Sequence, residues 1–168
     1  MKNNKGITLV ALSVTIIILL ILAFVTINYG TKSINNAKLE TLKTNMLLIK
    51  AKAKEYCEEA NFKVGTGSVP TDQQELENYL KPGVDYLKEK NLTTNGASAL
   101  SAITSTTYQY VVELTQSNLD EIGLKDVKTT NDDKYLIGFN ISEDKVEVYN
   151  TKGIDGKYSL TEIENIKE

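Results

Sequence analysis

Proton-transfer and metal chemistry have few residues to work with in this chain. It contains no His, no Arg and no Trp; its 19 basic side chains are all Lys, and Cys57 is its one cysteine. Without His there is no Ser–His–Asp or Cys–His arrangement and no general base poised near neutral pH. A zinc site that uses imidazole is excluded for the same reason. What remains is carboxylate chemistry, but 22 acids in 168 residues put neighbouring carboxylates together by chance. Asn131–Asp132–Asp133, Glu143–Asp144 and Asp155 fall in predicted loops, where they could approach a hard cation such as calcium. None has the spacing of a calcium-binding loop, and Asp is favoured in turns for its own backbone geometry. No glycine-rich nucleotide loop is present. A net charge of −3 argues against general nucleic-acid binding. The residues therefore read as a non-enzyme with no catalytic residues, no metal and no cofactor.

The strongest signal is apolar. Residues 6–31 form 26 positions without a charge, and 17 of the 21 from Ile7 to Ile27 are apolar. As an α-helix that stretch is about 31 Å long, the thickness of a bilayer core. It contains no Pro, and Thr8, Ser13, Thr15 and Thr26 can bond their own helix backbone. A cleaved secretory signal, with Lys2 and Lys5 as its basic start, is the rival reading and would release a soluble secreted protein. Its apolar core should be about 7–15 residues, and no small-x-small cleavage site follows Phe24. Lys2 and Lys5 precede the run while Lys32 and Lys38 follow it, so charge alone leaves the orientation nearly balanced. A short cytoplasmic N-terminus with the folded part outside is the simpler arrangement.

Beyond Tyr29–Gly30 the sequence turns polar but keeps a helical period. Leu39, Leu42, Met46, Ile49, Ala53, Tyr56 and Ala60 recur at spacings of three and four, so one helix is predicted from Ile7 to Ala60. Leu47 and Leu48 widen the apolar face, which favours packing on a domain over a narrow coiled-coil seam. Cys57 sits on the flank of that face, either as a small packing residue or as the site of an intermolecular disulfide.

Val64 to Pro70 reads as a turn segment, and Thr71 with Gln74 as a capping box for a short helix using Leu76 and Leu80, ended by Lys81–Pro82–Gly83. Residues 93–107 read mostly as loop. Tyr108–Thr115, Lys134–Ile141 and Lys145–Tyr149 are predicted strands, the last two forming an antiparallel hairpin. Between them Ser117 is expected to cap a turn of helix closed by Gly123, and Tyr158–Glu168 to form a short helix. The fold class is α+β: a long N-terminal helix, transmembrane in its first half and amphipathic in its second, packed on a small antiparallel sheet.

Lys5–Gly6–Ile7–Thr8–Leu9–Val10 and the apolar run behind it resemble the type IV pilin and type II secretion pseudopilin family. The segment from Val146 to Gly153 looks like the end of pilin-like proteins from low-GC, clostridial-like Gram-positive bacteria. The resemblance implies a leader over 1–6, a membrane helix over 7–29, its amphipathic continuation over 30–61, and an α+β head over 62–168. It implies cleavage after Gly6 by a prepilin peptidase, with Lys5, Gly6, Ile7, Thr8 and Leu9 recognised and the new N-terminus at Ile7 methylated. Ile16, Ile17, Ile18, Leu19 and Leu20 would become the core of a filament built with other pilin-like subunits, driven by a separate assembly ATPase. Two positions depart from the family pattern: Ile7 replaces the usual Phe, and Ala11 stands where assembling pilins usually carry Glu. A subunit without that carboxylate cannot neutralise a neighbour's terminal amine, which implies a minor or tip role. The alternative is an uncleaved single-pass membrane protein whose extracytoplasmic head binds an envelope partner.

Overall fold

The structure, a computed structural model, describes residues 5–69, 80, 99, 103 and 108–166. Its first element is a helix of 60 residues, α1 (Lys5–Val64). The rest follow in the order β1 (Tyr110–Leu114), α2 (Gln116–Glu121), β2 (Tyr135–Asn140), β3 (Lys145–Ile154), β4 (Lys157–Ser159) and α3 (Leu160–Glu164). The chain divides into two compact units, Met1–Glu40 and Thr41–Glu168, with α1 contributing to both.

In the second unit α1 packs with a four-stranded antiparallel sheet of order β1-β2-β3-β4, an α+β layout. The apolar period of α1 is what seats it. Met46, Ile49, Ala53, Cys57 and Ala60 are fully buried, Leu39 is buried, and Leu42 and Tyr56 are half-buried. Burial of a side chain such as Met46 or Ile49 stabilises the fold by about 1.5–3 kcal/mol. Leu47 and Leu48 do not join this face; they remain 47% and 46% exposed. With Met46 and Ile49 both turned inward, the 3.6-residue period forces the two residues between them outward. Polar bonds fix the helix against the sheet: Asn45 Nδ2 donates to Tyr135 Oη at 3.3 Å and Asn61 Nδ2 to the Ile141 carbonyl at 2.6 Å. Lys50 Nζ meets Glu147 at 3.3 Å.

Strand β2 is buried at all six positions, so both faces of the sheet are covered. Alternation puts Tyr135, Ile137 and Phe139 on one face and Leu136 and Gly138 on the other. On the second face Leu136 and Tyr149 cluster with Ala99 and Ile103, flanked by Tyr108, Val111 and Tyr158. Ala99 and Ile103 are therefore core residues within a stretch that reads as loop in the sequence. The predicted helix over 71–80 lies outside the described residues apart from Leu80, which is buried.

Around the sheet the predicted elements need four corrections. The strand Lys145–Tyr149 continues to Ile154, and a fourth strand, β4, occupies the start of the expected C-terminal helix. Asp155 (φ 51°) and Gly156 (φ 71°) are the cause: both adopt the left-handed conformation of a two-residue type I′ turn, pairing Ile154 with Lys157. The final helix α3 is accordingly shorter, with Ser159 as N-cap and Glu162 completing its capping box. The cap of α2 is Thr115 rather than Ser117, with Asn118 as its reciprocal partner. Gly123 closes α2 as expected, at φ 84°.

Gly138 admits the ring of Tyr108: a Cβ built there comes 2.7 Å from Tyr108 Cγ. The contact is with the root of the ring, which cannot swing away without leaving the second face of the sheet. Gly138→Ala is expected to destabilise the fold by about 1–3 kcal/mol, the usual cost of overpacking, read as a lowered unfolding midpoint of the detergent-solubilised full chain.

Candidate functional site

The residues with the clearest functional demand are in the first unit. From Leu12 to Ile27 the large apolar side chains of α1 are between 42% and 70% exposed. Ile16, Ile17, Ile18, Leu19 and Leu20 are all among them, at 49–65%. The helix forms here because the run lacks Pro and its hydroxyls turn back on the backbone. Thr15 Oγ1 donates to the Leu12 carbonyl at 2.8 Å and Thr26 Oγ1 to the Leu22 carbonyl at 2.7 Å. Backbone and side-chain polar groups are thus satisfied within one element, the condition for residing in hydrocarbon. This is a helix near the N-terminus, long and apolar enough to cross a membrane. Ala11 is exposed at its start. Lys5, Gly6, Ile7, Thr8 and Leu9 belong to the first turns of α1, and their side chains lie outside the described residues.

Among the acids in the predicted loops, Asp133, Glu143 and Asp144 are held by structural contacts. Asp133 Oδ1 accepts from Asn150 Nδ2 at 2.6 Å, Glu143 pairs with Lys145 at 2.5 Å, and Asp144 pairs with Lys54. Asp155 forms the type I′ turn. Among the described residues there is no group of three side chains able to hold a metal ion.

Cys57 is buried rather than on a flank, its sulfur 3.8 Å from the Asn140 carbonyl and 3.9 Å from that of Lys145. Burial, reinforced by the nearby Asp144 carboxylate, pushes its thiol up to about 11. The thiol form is therefore favoured by folding, and this contribution to stability is retained below the unfolded value of about 8.5 and lost as pH rises through the folded one. The buried thiol cannot reach a second chain without unfolding, which leaves the packing reading of Cys57. At pH 8 the native full chain should resist alkylation by iodoacetamide and react at the rate of a free thiol once unfolded in urea. Rapid native alkylation would contradict the packing role.

A charged pair inside the sheet escapes sequence reading. Glu113, opposite Leu136 in register, is only 3% exposed; its Oε1 lies 2.6 Å from Lys134 Nζ, while Oε2 is buried without a hydrogen-bond partner. The signal available in the sequence was a single acid inside the otherwise apolar strand YVVEL. The start of β2 is held further by Thr151, whose Oγ1 accepts from Lys134 N at 2.9 Å. Asn150 also contributes, its Nδ2 donating to Asp133 Oδ1 at 2.6 Å and to the Lys134 carbonyl at 3.4 Å. The pair and these bonds tie β1, β2 and β3 together in their register. Lys134→Met should cost about 3 kcal/mol by leaving the Glu113 carboxylate buried and uncompensated. Adding Glu113→Leu should restore most of it, a coupling that a double-mutant unfolding cycle measures.

Compared with protein-family models, curated proteins and solved structures, the chain matches none.

Proposed function

We propose that this chain is a structural, pilin-like subunit, a minor pilin or pseudopilin, held in the membrane by the first half of α1. The observation that carries the reading is the uncovered apolar helix from Leu12 to Ile27 continuing into an amphipathic half that packs on an antiparallel sheet. The leader-like Lys5–Gly6–Ile7 stands directly before it. In this reading the N-terminus is cytoplasmic, the head is extracytoplasmic, and a prepilin peptidase cuts after Gly6. In lipid the apolar helix has no hydrophobic drive toward other helices, so the subunit waits as a membrane-held monomer. Withdrawn into a filament by a separate ATPase, the same surface packs on other pilin-like subunits, at roughly 25 cal/mol per Å² of apolar area removed from water. The systems that fit are a type IV pilus, a type II secretion-like filament or a competence-like filament.

Ala11 favours a restricted place in such a filament. In the family, a carboxylate at this position pairs with a neighbour's terminal amine; an alanine leaves that amine charged in an apolar core, which is costly. The chain then serves as a minor or tip subunit. The same residue is the observation behind a second reading, an uncleaved single-pass protein whose head binds an envelope partner.

Expression of the full chain in a host with a prepilin peptidase separates the two. The expected mature protein begins at Ile7 and carries one extra methyl group by mass spectrometry, and Gly6→Leu retains the leader. A mature chain that keeps residues 1–6 contradicts the pilin-like reading and leaves the membrane-anchored binding protein. A start beyond Ala23 contradicts both.

A further inference from the structure

In residues 7–39 the only charged side chains are Lys32 and Lys38; the first acid is Glu40. Both lysines are exposed on α1. Lys50, Lys52, Lys54 and Lys63 of this helix each meet a carboxylate, and all of these pairs lie C-terminal to Lys32 and Lys38. Tyr29 stands between them and the apolar run and is 74% exposed. At about 1.5 Å per residue, Lys32 lies about 4.5 Å beyond Tyr29 and Lys38 about 14 Å beyond it. A headgroup layer is roughly 5–8 Å thick on each side of the hydrocarbon. With Tyr29 at the boundary, Lys32 falls inside that layer, and Lys38 stays within about one Debye length of it. Glu40 follows about 3 Å further out. The helix thus meets the headgroups with Lys32 inside the layer, and the next charge outward, Lys38, is also positive.

We propose that Tyr29, Lys32 and Lys38 form an interfacial collar that binds the anionic headgroups of the leaflet on the head side. Rings such as Tyr29 favour the headgroup level, with the aromatic body in acyl chains and the hydroxyl in water, and this fixes the depth of the helix. Lys32 and Lys38 point to different sides of α1, so they collect anionic lipids around the helix rather than enclose one. Two lysines on the head side count against placing that side outside the cytoplasm, and anionic headgroups supply the counterpart that makes the arrangement favourable. The proposal rests on the membrane-spanning reading of α1.

The chain has no Trp, so Tyr29→Trp gives a single reporter at the collar. The full-length variant is reconstituted in phosphatidylcholine vesicles with a fixed fraction of brominated lipid, either phosphatidylcholine or phosphatidylglycerol. Brominated phosphatidylglycerol is expected to quench the introduced indole with an apparent association up to about fivefold stronger than its neutral counterpart. Adding Lys32→Gln and Lys38→Gln should bring the two lipids to the same value while quenching itself persists. Equal quenching by both lipids before that substitution overturns the anionic preference, though not the span. A preference that survives the double substitution overturns the role of the two lysines. Absence of quenching by either lipid overturns the membrane-spanning reading and the collar with it.

Discussion

The large apolar side chains from Leu12 to Ile27 have almost no protein around them, and that exposure dictates the medium the first half of α1 requires. Each such side chain gains about 1.5–3 kcal/mol from leaving water, so a helix bare on every side is stable only in a medium that covers every side. Lipid does so, and so does a bundle of similar helices. The absence of charge from Ile7 to Thr31 keeps both options open along the whole stretch. A single buried Lys or Asp at its centre would cost several kcal/mol in either setting.

The same helix obeys a different rule in the head. From Met46 to Ala60 one stripe is buried while Glu55, Glu58 and Glu59 stay exposed, because one side of α1 meets protein and the other meets water. Propensity alone cannot hold so polar a helix rigid. Sheet contacts do, through the apolar stripe, Asn45 on Tyr135, Asn61 on Ile141 and Lys50 on Glu147. Glu147 also accepts from the backbone N and hydroxyl of Thr161, at 3.0 Å each, so a single carboxylate ties α1, β3 and the start of α3 together.

Periodic patterns were legible in the sequence, and contacts between distant segments were not. Met46, Ile49, Ala53 and Ala60 announce a buried helix face because their spacing matches a 3.6-residue turn. YVVEL and YLIGFN announce strands by their β-branched and aromatic content. Asp155–Gly156 carried a clear hairpin signal that a short helical pattern around Leu160 and Ile163 obscured. Leu47 and Leu48 misled because hydrophobicity was weighed without the angle each residue takes on the helix. The ion pair of Glu113 with Lys134 joins β1 to the residue just before β2, and only the register of the two strands brings them together. For the candidate site, the membrane-length helix was fully legible from its composition. The proposed processing rests on a hexapeptide that a separate peptidase would read, so the proposal has no geometric imprint on this chain.

The central claim is that α1 lives in two media, lipid along its first half and the head's own core along its second. Residue-resolved hydrogen exchange of the full chain in bilayer nanodiscs tests this directly, because amides in hydrocarbon exchange far more slowly than those of a helix in water. The account predicts a continuous block of near-complete protection over residues 12–27 that ends close to Tyr29. It also predicts a second protected set on Met46, Ile49, Ala53 and strand β2 that persists when the bilayer is exchanged for a short-chain detergent. Exchange over 12–27 at the rate of a solvent-exposed helix, with the head protected as before, would contradict it.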